Sequence, residues 1–281
     1  MHLIPSKRIT SLFILLTVLF IGAIVASAQT NLVVTPTSPY FDSNHVVGVA
    51  NDSAPGFPFG SFASDGIAKT DMYFTPETLF GREVTLGEIA SISYWTKTGS
   101  THDIAPCDWF LNIYTKRYAG QLGGSFYGVR VGTEPYLSEN QVDPANTWNQ
   151  WTTSGPTNYL RFFESTYGYF GSYTDPHYDA FVTGNSLAGD RGPGVPYATQ
   201  PILFFSPQTS SNCAAGFTGQ IDGLRIQLTD GSFATINFEA ANQTATTAAA
   251  CKNGGWMTRY RADFSTFKNQ GDCIQYVNTS K

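Results

Sequence analysis

The sequence predicts an all-β protein: an antiparallel, jelly-roll-like β-sandwich with a small disulfide-closed appendage at its C-terminus. Three observations carry this expectation. Apolar residues recur with a period of two through the body of the chain, long helical periodicity is absent between residues 29 and 239, and Gly, Pro, Asn and Asp bound the alternating stretches. Many short strands without helices to cover a parallel sheet bury their apolar faces most simply as two packed antiparallel sheets.

The N-terminus has the layout of a secretory signal peptide over residues 1–28. Lys7 and Arg8 precede an apolar run over residues 12–25, and Ala26-Ser27-Ala28 supplies the small residues that signal peptidase needs before Gln29. The run falls short of the ~20 residues that span a bilayer, so cleavage is favoured over anchoring. No later run approaches membrane length, and the exported chain is expected to leave the membrane. Cleavage leaves 14 basic against 21 acidic residues, which argues against nucleic acid as a partner. Charged residues make up 13% of the chain and aromatics 15%, a balance suited to a sheet protein with a polar surface of Ser, Thr, Asn and Gln. The remaining chain is long enough to bury one sizeable core.

The body, residues 29–239, is expected to hold strands near 89–96, 109–115, 127–131, 159–163, 202–206, 224–228 and 234–239. Within 109–115, Trp109, Leu111 and Ile113 share one face, and Phe110, Asn112 and Tyr114 share the other. Leu224, Ile226 and Leu228 alternate with Arg225 and Gln227, which reads as one buried and one wet face. Asp230-Gly231 between the last two runs predicts an antiparallel hairpin, because this pair tolerates the positive φ of a tight turn.

Residues 240–250, rich in Ala, Thr, Asn and Gln, read as a linker, and residues 251–281 as a stapled tail. All four cysteines, Cys107, Cys213, Cys251 and Cys273, follow the export signal, and an even number in an oxidising compartment predicts disulfides with three formal connectivities. Pairing Cys251 with Cys273 closes a short C-terminal loop and leaves Cys107 to Cys213. Tetrathiolate zinc is disfavoured, since no C-x₂-C pair is present.

The tail, from Cys251-Lys-Asn-Gly-Gly-Trp256 to Lys268-Asn-Gln-Gly-Asp-Cys273-Ile-Gln-Tyr276-Val277, resembles a C-terminal segment, roughly CKxGGW…FKNQGxCxxYV, that recurs in secreted bacterial proteins of uncharacterised function. The body, especially residues 81–96, 108–115 and 217–239, resembles secreted concanavalin-like or carbohydrate-binding-module-like β-sandwiches whose final strand ends in a Phe-Glu pair, here Phe238-Glu239. The resemblance implies location and fold rather than a reaction.

Catalysis finds little local support. A sandwich glycosidase needs two carboxyl groups about 5 to 10 Å apart, but Glu83 and Glu88, like Glu134 and Glu139, are spaced five apart and point to opposite faces of a regular strand. Carboxylates from different strands could still converge. After the signal segment only His45, His102 and His177 remain, and no Gly-x-Ser-x-Gly elbow accompanies them. Paired cysteines would leave no thiol nucleophile.

Asp175-Pro-His177-Tyr-Asp179 has the i, i+2, i+4 spacing of a metal-binding strand, but Pro176, Gly171 and Gly184 favour a loop. Asp103, Asp108, Asp175 or Asp222 could donate to a structural calcium, although no twelve-residue Asp-x-Asp-x-Asp-Gly loop occurs. The aromatic supply is the remaining functional signal. Trp148 and Trp151 flank Asn149 and Gln150, and Tyr169 and Tyr173 follow in a Gly-rich stretch. Sugars stack on flat rings while amides reach their hydroxyls, so this mixture suits a glycan site. The sandwich core is the competing place for both tryptophans. The expected function is a non-catalytic secreted protein binding glycan or a cell or matrix surface. A two-carboxylate glycoside hydrolase and a structural matrix or adhesion protein are the alternatives.

Overall fold

A computed structural model describes residues 29–99, 107–121, 124–187, 194–211, 216–241, 244–263 and 265–280. The expected signal segment, Asp103 and Cys213 lie outside these residues. Thirteen strands form two sheets within them, and the fold is the expected all-β sandwich.

The first sheet contains β1 (Gln29–Val34), β3 (Val46–Ala50), β4 (Gly60–Ser64), β6 (Ile89–Lys97), β9 (Asn149–Thr152), β12 (Gln220–Leu228) and β13 (Phe233–Phe238). Strand β12 is its hub. Its Leu224–Gln227 half pairs with β13, its start at Gln220 and Ile221 pairs with β4, and β6 runs along the other flank. The second sheet has the order β10 (Phe163–Glu164), β8 (Arg130–Thr133), β7 (Phe110–Thr115), β11 (Ile202–Gln208), β5 (Asp71–Met72) and β2 (Phe41–Ser43).

The alternation seen in the sequence holds in space. Trp109, Leu111 and Ile113 are buried with Leu224, Ile226 and Leu228 in one core between the sheets, while Arg225 is exposed and lies over the Phe233 ring at 4.2 Å. The Asp230-Gly231 turn closes an antiparallel β12–β13 hairpin, and Gly231 takes the positive φ (86°) that the turn requires. All pairings between the named strands are antiparallel except one. β1 runs parallel to β13 from Gln29↔Phe233 to Val34↔Phe238. The polar Gln29-Thr30-Asn31 start of β1 gives no alternating signal, so only the long-range pairing creates this strand.

Helices in the body are short, as expected: α1 (Pro76–Phe80) and α2 (Tyr178–Phe181). Thr75 caps α1 by accepting a hydrogen bond from the Thr78 N–H, and Gly81 ends it at φ 69°. A third helix, α3 (Gln270–Thr279), was not legible in the tail's sequence; Asn269 caps it by accepting from the Asp272 N–H.

Cys251 and Cys273 are joined, with Cα atoms 5.7 Å apart. Cys107 is also disulfide-bonded. Around the Cys251–Cys273 bridge, Ala245 and Phe267 complete a small second core. Within the expected linker, residues 240–250, two residues are packed against the tail. Thr244 bridges to Tyr260, and Ala245 is small enough to be buried beside the disulfide. Tyr260 is itself fully buried and stacks on Phe59 at 5.3 Å, docking the tail on the loop between β3 and β4.

Candidate functional site

The aromatic residues expected to form a platform are divided by the fold. Trp151 is fully buried, and its indole N–H donates to Thr96 Oγ1 at 2.7 Å. The pairing of Trp151 with Tyr94 sets this, because a strand's residues alternate faces and this register turns Trp151 into the core. Asn149 shares that inward parity, is buried, and donates to Asp143 Oδ1 at 2.7 Å. Neither residue can meet a ligand. Gln150 is exposed on the outer face of the seven-stranded sheet. Trp148 is half-buried and donates to Asp52, which also accepts from Lys97 and Gln220. Burial opposes the Asp52 charge, but these three donors outweigh it and hold the carboxyl below its ordinary range.

Tyr169 and Tyr173 stand on the other sheet. Tyr173 is exposed, and Tyr169 lines a groove of about 530 Å³ on the outer face of the six-stranded sheet. The floor comes from Phe110 and Asn112 of β7, Arg130 of β8, Phe163 of β10 and Gln208 of β11. Loops after β8 and β10 raise the walls with Glu134, Tyr136, Tyr169 and Phe170, and Lys69 closes the edge beside β5. Phe170 is 75% exposed at the rim.

Two glycines let the walls close. A Cβ at Gly132 would meet the Phe163 ring at 3.0 Å, so the missing side chain lets that ring lie across β8. A Cβ at Gly171, whose φ is +76°, would fall 2.5 Å from the same ring, so only glycine brings the Tyr169 loop this close.

Polar contacts fix the groove. Arg130 Nε donates to Ser165 Oγ at 2.8 Å and Nη2 to the Ser165 carbonyl at 2.7 Å. Tyr169 donates to Asp175 Oδ1 at 3.1 Å and packs edge-on against Phe163. Lys69 pairs with Asp71 at 2.6 Å. Burial pushes the Glu134 carboxyl up, against the opposing pull of Tyr136 and Arg130. Burial also pushes Asp108 well above the carboxylate range, and the nearby Asp143 charge adds to it.

The same sheet face continues past the groove. Phe110 lies opposite Gln208, Asn112 opposite Ser206, and Tyr114 opposite Phe204, so the three pairs line one face. Phe126, 59% exposed, stacks on Tyr114 at 5.9 Å and on Phe204 at 6.0 Å, and Tyr73 stacks on Phe204 at 4.3 Å. Phe110, Asn112 and Tyr114 were legible as one face of a strand, but nothing local said that rings such as Phe126 and Tyr73 would cover most of this outer face.

The aspartates considered for calcium do not converge. Among the described residues no three His, Cys, Asp or Glu cluster as metal ligands. Asp108 is buried and accepts from the Trp109 N–H and Thr96 Oγ1. Asp175 closes its own loop by accepting from the Ser172 N–H at 2.6 Å. His177, its neighbour in the sequence motif, faces Glu139 at 2.8 Å and stacks flat on Tyr159. Asp222 sits at a bulge in β12 rather than in a loop and accepts three backbone N–H bonds, from Ala54, Gly223 and Phe238. Near it, Asn237 and Glu239 are fully buried and joined by one hydrogen bond of 2.7 Å, while among the described residues Glu239 Oε2 and Asn237 Oδ1 have no hydrogen-bond partner. Burial raises Asp222 to about 8 and Glu239 to about 9, the latter helped by the Asp222 charge.

Compared with protein-family models, with curated proteins and with solved structures, the chain matches none.

Proposed function

We propose that this is a secreted, non-catalytic protein that binds a glycan or a glycan-bearing cell or matrix surface along the outer face of its six-stranded sheet. The observation that supports this reading is the set of exposed rings, Phe170, Tyr169 and Phe126, on the same face as Arg130. Rings cover the apolar face of a sugar while the guanidinium meets its polar groups. Glycan-array binding followed by titration of Tyr169→Ala and Phe126→Ala tests it. Binding should weaken at unchanged melting temperature, and equal binding by both variants would exclude this face. Export is tested by mass spectrometry of secreted material, which should begin at Gln29.

A hydrolase remains the second reading, because Asp108 and Glu134 line the same groove. Burial favours the neutral form of both, however, and an acid–base pair needs one group ionised. Release of reducing ends by the wild type, abolished in Glu134→Gln, would establish it.

A further inference from the structure

We infer that the ligand of this groove is an acidic polysaccharide, one whose carboxylate or sulfate groups pair with Arg130. The inference rests on the glycan reading and adds the charge class. Its starting point is how the chain uses its cations. Arg82, Lys97, Lys116, Arg161 and Arg261 each lie within 3 Å of a carboxylate oxygen, and Lys69 is held by Asp71.

Arg130, like Arg225 over the Phe233 ring, is held another way. It lines the groove, yet among the described residues it forms no ion pair. Its Nε and Nη2 are both spent on one neutral residue, Ser165, which fixes the plane of the guanidinium without neutralising it. With that edge taken, the Nη1 end of a guanidinium held in one plane is what an oxyanion can meet, and little rotamer freedom is left to lose on binding.

The acids around Arg130 compensate it weakly. Glu134 is the carboxyl whose field it meets, and burial drives that group toward its neutral form. Asp108, at the groove floor, is driven the same way and is already hydrogen-bonded to Thr96 and Trp109. Lys69 adds a second cation at the opposite edge, half of its side chain exposed. In a chain whose formal net charge is −5, this groove presents Arg130 without a paired carboxylate, beside two acids whose charge burial opposes. A neutral sugar would leave the Arg130 charge desolvated and unpaired, whereas an acidic unit would pair it.

The test compares the exported chain binding to polygalacturonate, to a sulfated glycosaminoglycan and to a neutral β-glucan of similar length. At least one acidic polymer should bind about tenfold or more tightly than the glucan, and binding should weaken as salt rises from low to physiological strength. Arg130→Gln should lose most of that preference. Arg130→Lys, which keeps the charge without the planar guanidinium and serves if the glutamine variant folds poorly, should retain part of it. If the glucan binds as well as the acidic polymers and Arg130→Lys and Arg130→Gln leave binding unchanged, the charge class is wrong while the glycan site stands. If none of the polymers binds and Phe126→Ala changes nothing, both readings fall.

Discussion

Replacing Trp151 by alanine should destabilise the protein without any direct effect on ligand binding. Its side chain is fully buried between the sheets, and its indole N–H donates to Thr96, whose hydroxyl in turn donates to Asp108. Truncating a buried tryptophan costs about 3 to 5 kcal/mol through lost burial and the cavity left behind. For a domain of this size each kcal/mol lowers the melting temperature by about 2 to 4 °C, so a fall of roughly 6 to 20 °C is expected. Tyr169→Ala is the matched control. Tyr169 is 44% exposed and its hydroxyl is held only by Asp175, so its loss should cost under about 1 kcal/mol of stability. The same loss should weaken glycan binding by about fivefold, the equivalent of roughly 1 kcal/mol of stacking. Calorimetric melting and glycan titration on the two variants, run below the melting point of Trp151→Ala, separate the outcomes. A Trp151→Ala protein that melts like the wild type but has lost binding would refute the assignment of Trp151 to the core and of the site to the opposite sheet.

Stability should fall as pH rises from about 4 toward 8, because Asp222 and Glu239 keep protons in the folded chain that the unfolded chain releases near ordinary carboxylate values. The slope from each group is up to about 1.4 kcal/mol per pH unit, and urea melts of Glu239→Gln should show it reduced; an unchanged slope would contradict the burial of that carboxyl. The double variant Cys251→Ser, Cys273→Ser should lose roughly 3 kcal/mol of local stability, since the bridge closes a separation of 22 residues. Hydrogen exchange should then quicken across α3 and leave β12 protected, whereas protection kept in α3 would show that the tail folds without its staple. Gly171→Ala should destabilise by about 1 to 3 kcal/mol and weaken glycan binding, because its positive φ and the Phe163 ring leave no room for a Cβ; wild-type melting and affinity together would count against the groove as described.

The sequence by itself determined the fold class, because period-two alternation is a local property of the chain. Leu224, Ile226 and Leu228 must share a face once they form a strand, and Asp230-Gly231 can turn that strand back on itself. It also determined the Cys251–Cys273 pair, since a short separation in a tail with little core leaves that bond as the natural closure. The tertiary structure decided which face of each strand meets water. Trp151 and Tyr169 sit in similarly polar, aromatic surroundings in the sequence, yet the register of β9 on β6 buries one and the loop after β10 exposes the other. It also decided the parallel pairing of β1 with β13 and the groove itself, whose floor gathers Asn112, Arg130, Phe163 and Gln208 from four strands. Those side chains are tens of residues apart in the chain and become neighbours only through sheet order, which long-range packing sets and no local pattern encodes.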